Sequence, residues 1–155
     1  MSTPVDNEIF IKAFGDVEEV LNHLKNNIKT ELRPSPIHGI GVFAVKDINK
    51  GENVFPVWEN ESGIYIIPND RLHEIPTEIY RLLDMYFINE DCGYKVIRLF
   101  KGFNLLYHSF SFCNSAYPNL ENTNIDNKGF AIKDIKSGEE VLEWYTENID
   151  LANSK

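Results

Sequence analysis

Phe110-Ser-Phe-Cys-Asn-Ser-Ala-Tyr-Pro-Asn119 and Gly129-Phe-Ala-Ile-Lys-Asp-Ile-Lys-Ser-Gly-Glu-Glu-Val-Leu-Glu-Trp-Tyr145 are the two halves of the stretch that decides the fold. The first half has few charges, several aromatics and small polar residues, and ends in a Pro-Asn turn. The second reads as strand, tight turn, strand, with a tyrosine at its end. Small polar groups and a terminal Tyr beside apolar strands suit a pocket for a polar ligand with an aromatic wall. The same residues also suit a plain hairpin with a long loop, and this segment alone leaves both readings open.

Moving outward, the second half has a copy elsewhere in the chain. Gly41-Val-Phe-Ala-Val-Lys-Asp-Ile-Asn-Lys-Gly-Glu-Asn-Val-Phe55 matches Lys128-Gly-Phe-Ala-Ile-Lys-Asp-Ile-Lys-Ser-Gly-Glu-Glu-Val-Leu142. Each copy predicts a strand, a Lys-Asp-Ile corner, a Gly-Glu turn and a second strand. A solenoid needs at least three repeats. Two copies point instead to a mostly β protein of small sheets with quasi-symmetric halves.

The remaining elements frame these copies. Val17, Val20, Leu21, Leu24, Ile28 and Leu32 recur at helical spacing, and Asp16 with Glu19 forms a capping-box variant. This predicts a helix over about 17–29, broken by Arg33-Pro-Ser-Pro36. Ile37 to Val45 is a turn running into an alternating strand, with Asn53 to Val57 as its return. Ile64 to Ile67 reads as a short strand and Tyr94 to Phe100 as a half-buried one. Between them Thr77 to Ile88 is a core helix, with Ile79, Leu82, Leu83, Tyr86 and Phe87 on one face. Gly39 and Gly41 let the backbone approach a ligand closely, although any tight turn uses the same residues. They precede a strand rather than open a helix, so they are no dinucleotide fingerprint.

At 155 residues, 43% hydrophobic and 25% charged, the chain reads as one ordinary globular domain. No apolar run approaches the roughly 20 residues of a membrane span. Met1 to Glu8 has neither a basic nor an apolar signal region, so an intracellular protein, cytoplasmic or nuclear and without a membrane partner, is expected. Cys92 and Cys113 make no CxxC pair, which predicts a reduced protein with no metal. A net charge of −9 argues against direct nucleic-acid binding and suits a basic partner such as a Lys/Arg-rich peptide.

Taken together, the motifs over about 32–145 resemble the SET-domain protein lysine methyltransferases. The family's opening motif is similar to Gly39-Ile-Gly-Val-Phe-Ala44 followed by Gly51-Glu52, and its closing motif to Gly138-Glu-Glu-Val-Leu-Glu-Trp-Tyr145. Its Asn-His-Ser-x-x-Pro-Asn segment is similar to Cys113-Asn-Ser-Ala-Tyr-Pro-Asn119, with Cys113-Asn114 where the family has Asn-His. Trp144 replaces the usual Asp before the final Tyr, a pattern that resembles the PR-domain branch. No cysteine cluster follows Tyr145, so the zinc-binding lid of many members is not expected.

The resemblance implies an α+β, mostly β fold of the β-clip type: small sheets, a few helices and a C-terminal pseudoknot. It implies a helical extension over 1–31, the SET domain over 32–145 and a tail over 146–155. The implied activity transfers methyl groups from S-adenosylmethionine to a lysine amine of a protein substrate, histone tails included, without metal. Tyr145 then carries the catalytic role. His38, Gly39, Ile40, Gly41, Cys113 and Asn114 hold the cofactor, and Tyr94 and Tyr117 line the substrate channel. A homodimer that completes the site is compatible with this reading. Two alternatives stay open: a SET fold without catalysis that serves as a binding module, and a hydrolase using Cys113 with His108.

Overall fold

The computed structural model describes residues 16–87 and 93–144. Among these are two helices, α1 (Val17–Asn26) and α2 (Thr77–Tyr86), and six strands. The strands are β1 (Thr30–Pro34), β2 (Ile40–Ala44), β3 (Gly63–Pro68), β4 (Tyr94–Leu99), β5 (Asn114–Ser115) and β6 (Glu140–Glu143). This is the expected mostly β, α+β architecture of small sheets. None of the described helices is long and apolar enough to cross a membrane. The chain divides into two compact units, each made of two stretches: Met1–Ile28 with Pro56–His108, and Lys29–Phe55 with Ser109–Lys155.

In the first unit Asp16 caps α1, its Oδ1 accepting the Glu18 N–H at 2.8 Å. Glu19 does not complete the box; its carboxylate accepts from Asn60 Nδ2 at 2.9 Å. Val20, Leu21 and Leu24 are buried, and the helix packs on β3. It ends at Asn26, three residues sooner than the apolar spacing suggests. β3 and β4 pair antiparallel, with Tyr65 opposite Ile97, and α2, which lies between them in the chain, buries Ile79, Leu82 and Leu83. The buried face of β4 is Lys95, Ile97 and Leu99. Lys95 has no exposed surface. Its ammonium meets Asp84 Oδ1 at 3.0 Å and lies 5.6 Å from the Tyr80 ring centre. A buried cation persists only with such partners.

The second unit holds a four-stranded sheet in the order β1-β2-β6-β5, antiparallel except for β5 and β6. β1 is not among the expected elements; Leu32 continues the helical spacing beyond the expected helix of about 17–29 and lies in this strand instead. Thr30 pairs with Ala44 and Pro34 with Ile40, so Leu32 sits in an edge strand. An edge tolerates Pro34 because one side of it needs no hydrogen bonds.

The repeat copies do not fold back on themselves as hairpins. They close each other. Ile48 and Ile135 exchange N–H···O bonds at 2.8 Å in both directions. The Gly51 N–H donates to Ala131 O at 2.8 Å, and the Gly138 N–H to Ala44 O at 2.7 Å. Asp47 Oδ1 accepts the Ser137 N–H at 2.9 Å, and Asp134 Oδ1 accepts the Lys50 N–H at 2.9 Å. Asn53 keeps only an isolated bridge to Phe130, so the return strand expected over 53–57 does not form. Both copies feed one core that includes Val42, Ala44, Ile48, Cys113, Ala131, Ile135 and Val141. Buried Asn124 fastens β6 from the side, donating to Glu140 O and accepting the Leu142 N–H, each at 2.8 Å. The closing part of the expected pseudoknot, from Tyr145 onward, lies outside the described residues.

Candidate functional site

A cleft of about 1140 Å³ opens in the second unit between two walls. One wall is Ile37, His38, Gly39 and Ile40; the other is Ser111, Phe112, Cys113, Asn114, Ser115 and Tyr117. The first wall is a tight loop entering β2. It is closed by the Ser35 N–H on Gly39 O at 2.7 Å and by the Ile37 N–H on Ser35 Oγ at 3.0 Å. Gly39 supplies the left-handed corner, with φ +45°, and a Cβ there would meet nothing within 4 Å. The second wall is a 3-10 turn over Ser109–Phe112 that leads through Cys113 into β5. At its far end the Tyr117 ring lies 5.6 Å from that of Trp144.

Asn114 joins the two walls. Its Nδ2 lies 3.0 Å from His38 O, 3.3 Å from Ile40 O and 3.0 Å from Glu140 Oε2. The Glu140 carboxylate in turn accepts the Ser35 hydroxyl at 2.9 Å. Gly41 makes room for that carboxylate: a Cβ there would stand 2.3 Å from Glu140 Oε2.

The structure therefore brings His38, Gly39, Ile40, Cys113, Asn114 and Tyr117 to one cleft. Gly41 stands against Glu140 rather than among the lining residues. Tyr94 opens β4 in the other unit, paired with Pro68. Tyr145 lies outside the described residues. Ser35 and Glu140 escaped the sequence reading. Glu140 had a signal, its place in the Gly-Glu-Glu motif, whereas Ser35 had none.

The electrostatics bear on the hydrolase alternative. Burial pushes the Cys113 thiol far above its usual range, and the charges of Glu143 and Glu140 push it further. Such a thiol is no nucleophile at neutral pH, because the thiolate is the reactive form. Burial likewise raises the carboxyl of half-buried Glu143.

No curated protein matches the chain in sequence. Among solved structures it is similar to a Plasmodium falciparum protein, PFL0690c, assigned as a histone methyltransferase. That match has 24% identity and a TM-score of 0.32, and covers 76% of this chain and 92% of that one. The methyltransferase domain of human PR domain-containing protein 2 is similar at 20% identity and TM-score 0.37, covering 85% and 88%. A humanized mutant of the Chaetomium thermophilum Polycomb Repressive Complex 2, bound to the inhibitor GSK126, matches at 24% identity and TM-score 0.37, covering 79% of this chain and 15% of that one. The model of the SET domain family matches residues 39–146, a span that takes in both repeat copies and the whole second wall of the cleft; the chain belongs to the SET-domain family.

Proposed function

We propose that this protein is an S-adenosylmethionine-dependent protein lysine N-methyltransferase acting on a basic protein or peptide, histone tails among them. The observation that carries this reading is the meeting of two distant motif segments, 37–40 and 111–117, as opposite walls of one cleft. The cleft fits the cofactor's mixed chemistry. Ile37, Ile40, Phe112 and Tyr117 offer exposed apolar surface, and the backbone at Gly39 is open to close approach. Its volume of about 1140 Å³ is slightly above the ~300–1,000 Å³ common for small-molecule sites.

When bound, the cofactor supplies a methyl group on a sulfonium, which leaves S-adenosylhomocysteine as the amine gains the methyl. The chain's own residues present the amine. A free lysine, pKa ~10.4, is protonated at neutral pH and becomes nucleophilic after desolvation against apolar walls. Tyr145 is assigned the orienting hydroxyl, and holding the reactants in line supplies much of the rate. The net charge of −9 attracts a basic substrate. We keep 32–145 as the SET domain, 1–31 as a helical extension, 146–155 as a tail, Tyr94 as a channel residue, and a homodimer in the cytoplasm or nucleus as parts of this proposal.

Calorimetric titration with S-adenosylmethionine and S-adenosylhomocysteine tests it. Micromolar binding is expected, weakened by a bulky residue at Gly39, together with methyl transfer to lysine peptides that Tyr145→Phe abolishes. The departures Cys113-Asn114 and Trp144 favour a second reading, a SET fold kept as a binding module. Absence of cofactor binding by folded protein would select it.

A further inference from the structure

We infer that Glu140 is a positioning residue whose carboxylate, shared between Ser35 and Asn114, fixes the 35–40 loop against β5 and so sets the cofactor affinity of the cleft. This rests on the methyltransferase reading. Donors and acceptors match along one chain of contacts. The Glu140 carboxylate oxygens accept from the Ser35 hydroxyl at 2.9 Å and from the Asn114 amide nitrogen at 3.0 Å. With its O–H donated in a hydrogen bond to Glu140, the Ser35 oxygen is left to accept the amides of Ile37 at 3.0 Å and His38 at 3.4 Å. The two amide protons of Asn114 are committed to Glu140 and to the carbonyls of His38 and Ile40. One carboxylate thus holds both ends of the loop that walls the cleft.

The consequence reassigns Asn114. Its amide nitrogen has no proton left for a ligand, so it acts on the cofactor through the loop. Gly41 belongs to the same device, since only a residue without Cβ lets the carboxylate reach both partners. A loop held this way is organised before the ligand arrives, which spares the ordering cost of binding.

The experiment compares wild type with Glu140→Ala, Glu140→Gln, Ser35→Ala and the Ser35→Ala/Glu140→Ala double variant. Three quantities are read: S-adenosylhomocysteine affinity by calorimetry, unfolding midpoint in urea, and hydrogen exchange of the Ile37 and His38 amides without cofactor. Glu140→Ala is expected to weaken binding at least tenfold and to speed exchange at both amides. Glu140→Gln, which keeps one acceptor, is expected to fall between it and wild type. The double variant should bind no worse than Glu140→Ala alone, as members of one network are not additive. A lower unfolding midpoint with unchanged affinity and exchange would show a merely structural carboxylate and overturn the inference. Should wild type itself fail to bind, the methyltransferase reading fails, and exchange at Ile37 and His38 still decides the loop's anchor: faster supports it, unchanged overturns it. If Glu140→Ala does not fold, Glu140→Gln and Ser35→Ala carry the same comparison.

Discussion

A methyl group on Gly41 would stand 2.3 Å from Glu140 Oε2 and 3.0 Å from the Ser35 Cβ. The carboxylate cannot swing away freely, because Ser35 and Asn114 both hold it. Gly41→Ala should therefore destabilise by about 1–3 kcal/mol, the usual cost of overpacking. Gly39→Ala meets no atom within 4 Å and pays only for its φ of +45°, about 1 kcal/mol. Urea denaturation of the two variants checks the order. Cys113 gives a second prediction at this scale. Buried, with its thiol pKa raised by burial, it should react with a thiol reagent only as fast as the protein unfolds. Reaction in the native state at the rate of an exposed thiol would contradict the structure. The cleft residues were readable from motifs because each motif is local. Ser35 was not, since its partner Glu140 is 105 positions away and nothing in the sequence links them.

Helix α1 buries a titratable histidine. His23 is 2% exposed; its Nε2 donates to Asn104 O at 2.7 Å, while Nδ1 accepts from Asn27 Nδ2 at 2.9 Å. Burial lowers its pKa, outweighing the Asn104 carbonyl, which raises it. The folded ring stays neutral while the unfolded one titrates near ~6.5. Its contribution to stability is therefore complete above that pH and is lost as pH falls toward the lower folded value. Unfolding free energies measured between pH 7.5 and 5.5 should decline, and His23→Phe should flatten that slope. The elements also show where pattern reading stops. Leu32 continues the helical spacing of α1, yet Thr30–Pro34 becomes β1 because β2 offers it an edge. Alternation over 94–100 predicts a half-buried strand and does not say that a lysine, Lys95, lies on its buried face. Asp84 and Tyr80 let it turn inward. In both cases the decisive partner lies elsewhere in the chain, where neither propensity nor period can register it.

For the molecule as a whole, the two copies make a quantitative claim. Asp47 and Asp134 each accept one amide of the opposite copy at 2.9 Å. Asp47→Ala and Asp134→Ala should each cost about 0.5–1.5 kcal/mol, and nearly the same amount as each other. A large inequality in urea midpoints would mean that the copies are alike in sequence and not in load. The likeness was legible because thirteen aligned positions from Phe43 and Phe130 onward share one pattern. The reciprocal closure was not, since a repeat declares similarity and leaves the pairing partner unstated.

That reciprocity also governs when the protein can come into being. β1 and β2 are joined by a short loop and can pair early, whereas the Ile48 and Gly51 amides of the first copy wait for partners, Ile135 and Ala131, about 80 to 90 residues later. The cost of closing so long a loop grows only with the logarithm of its length, which burdens rate more than stability. On a translating ribosome the 48–51 turn of the first copy stays without its partners until the second copy has emerged, and the junction of the cleft walls, which needs Asn114 and Glu140, forms in that same late step.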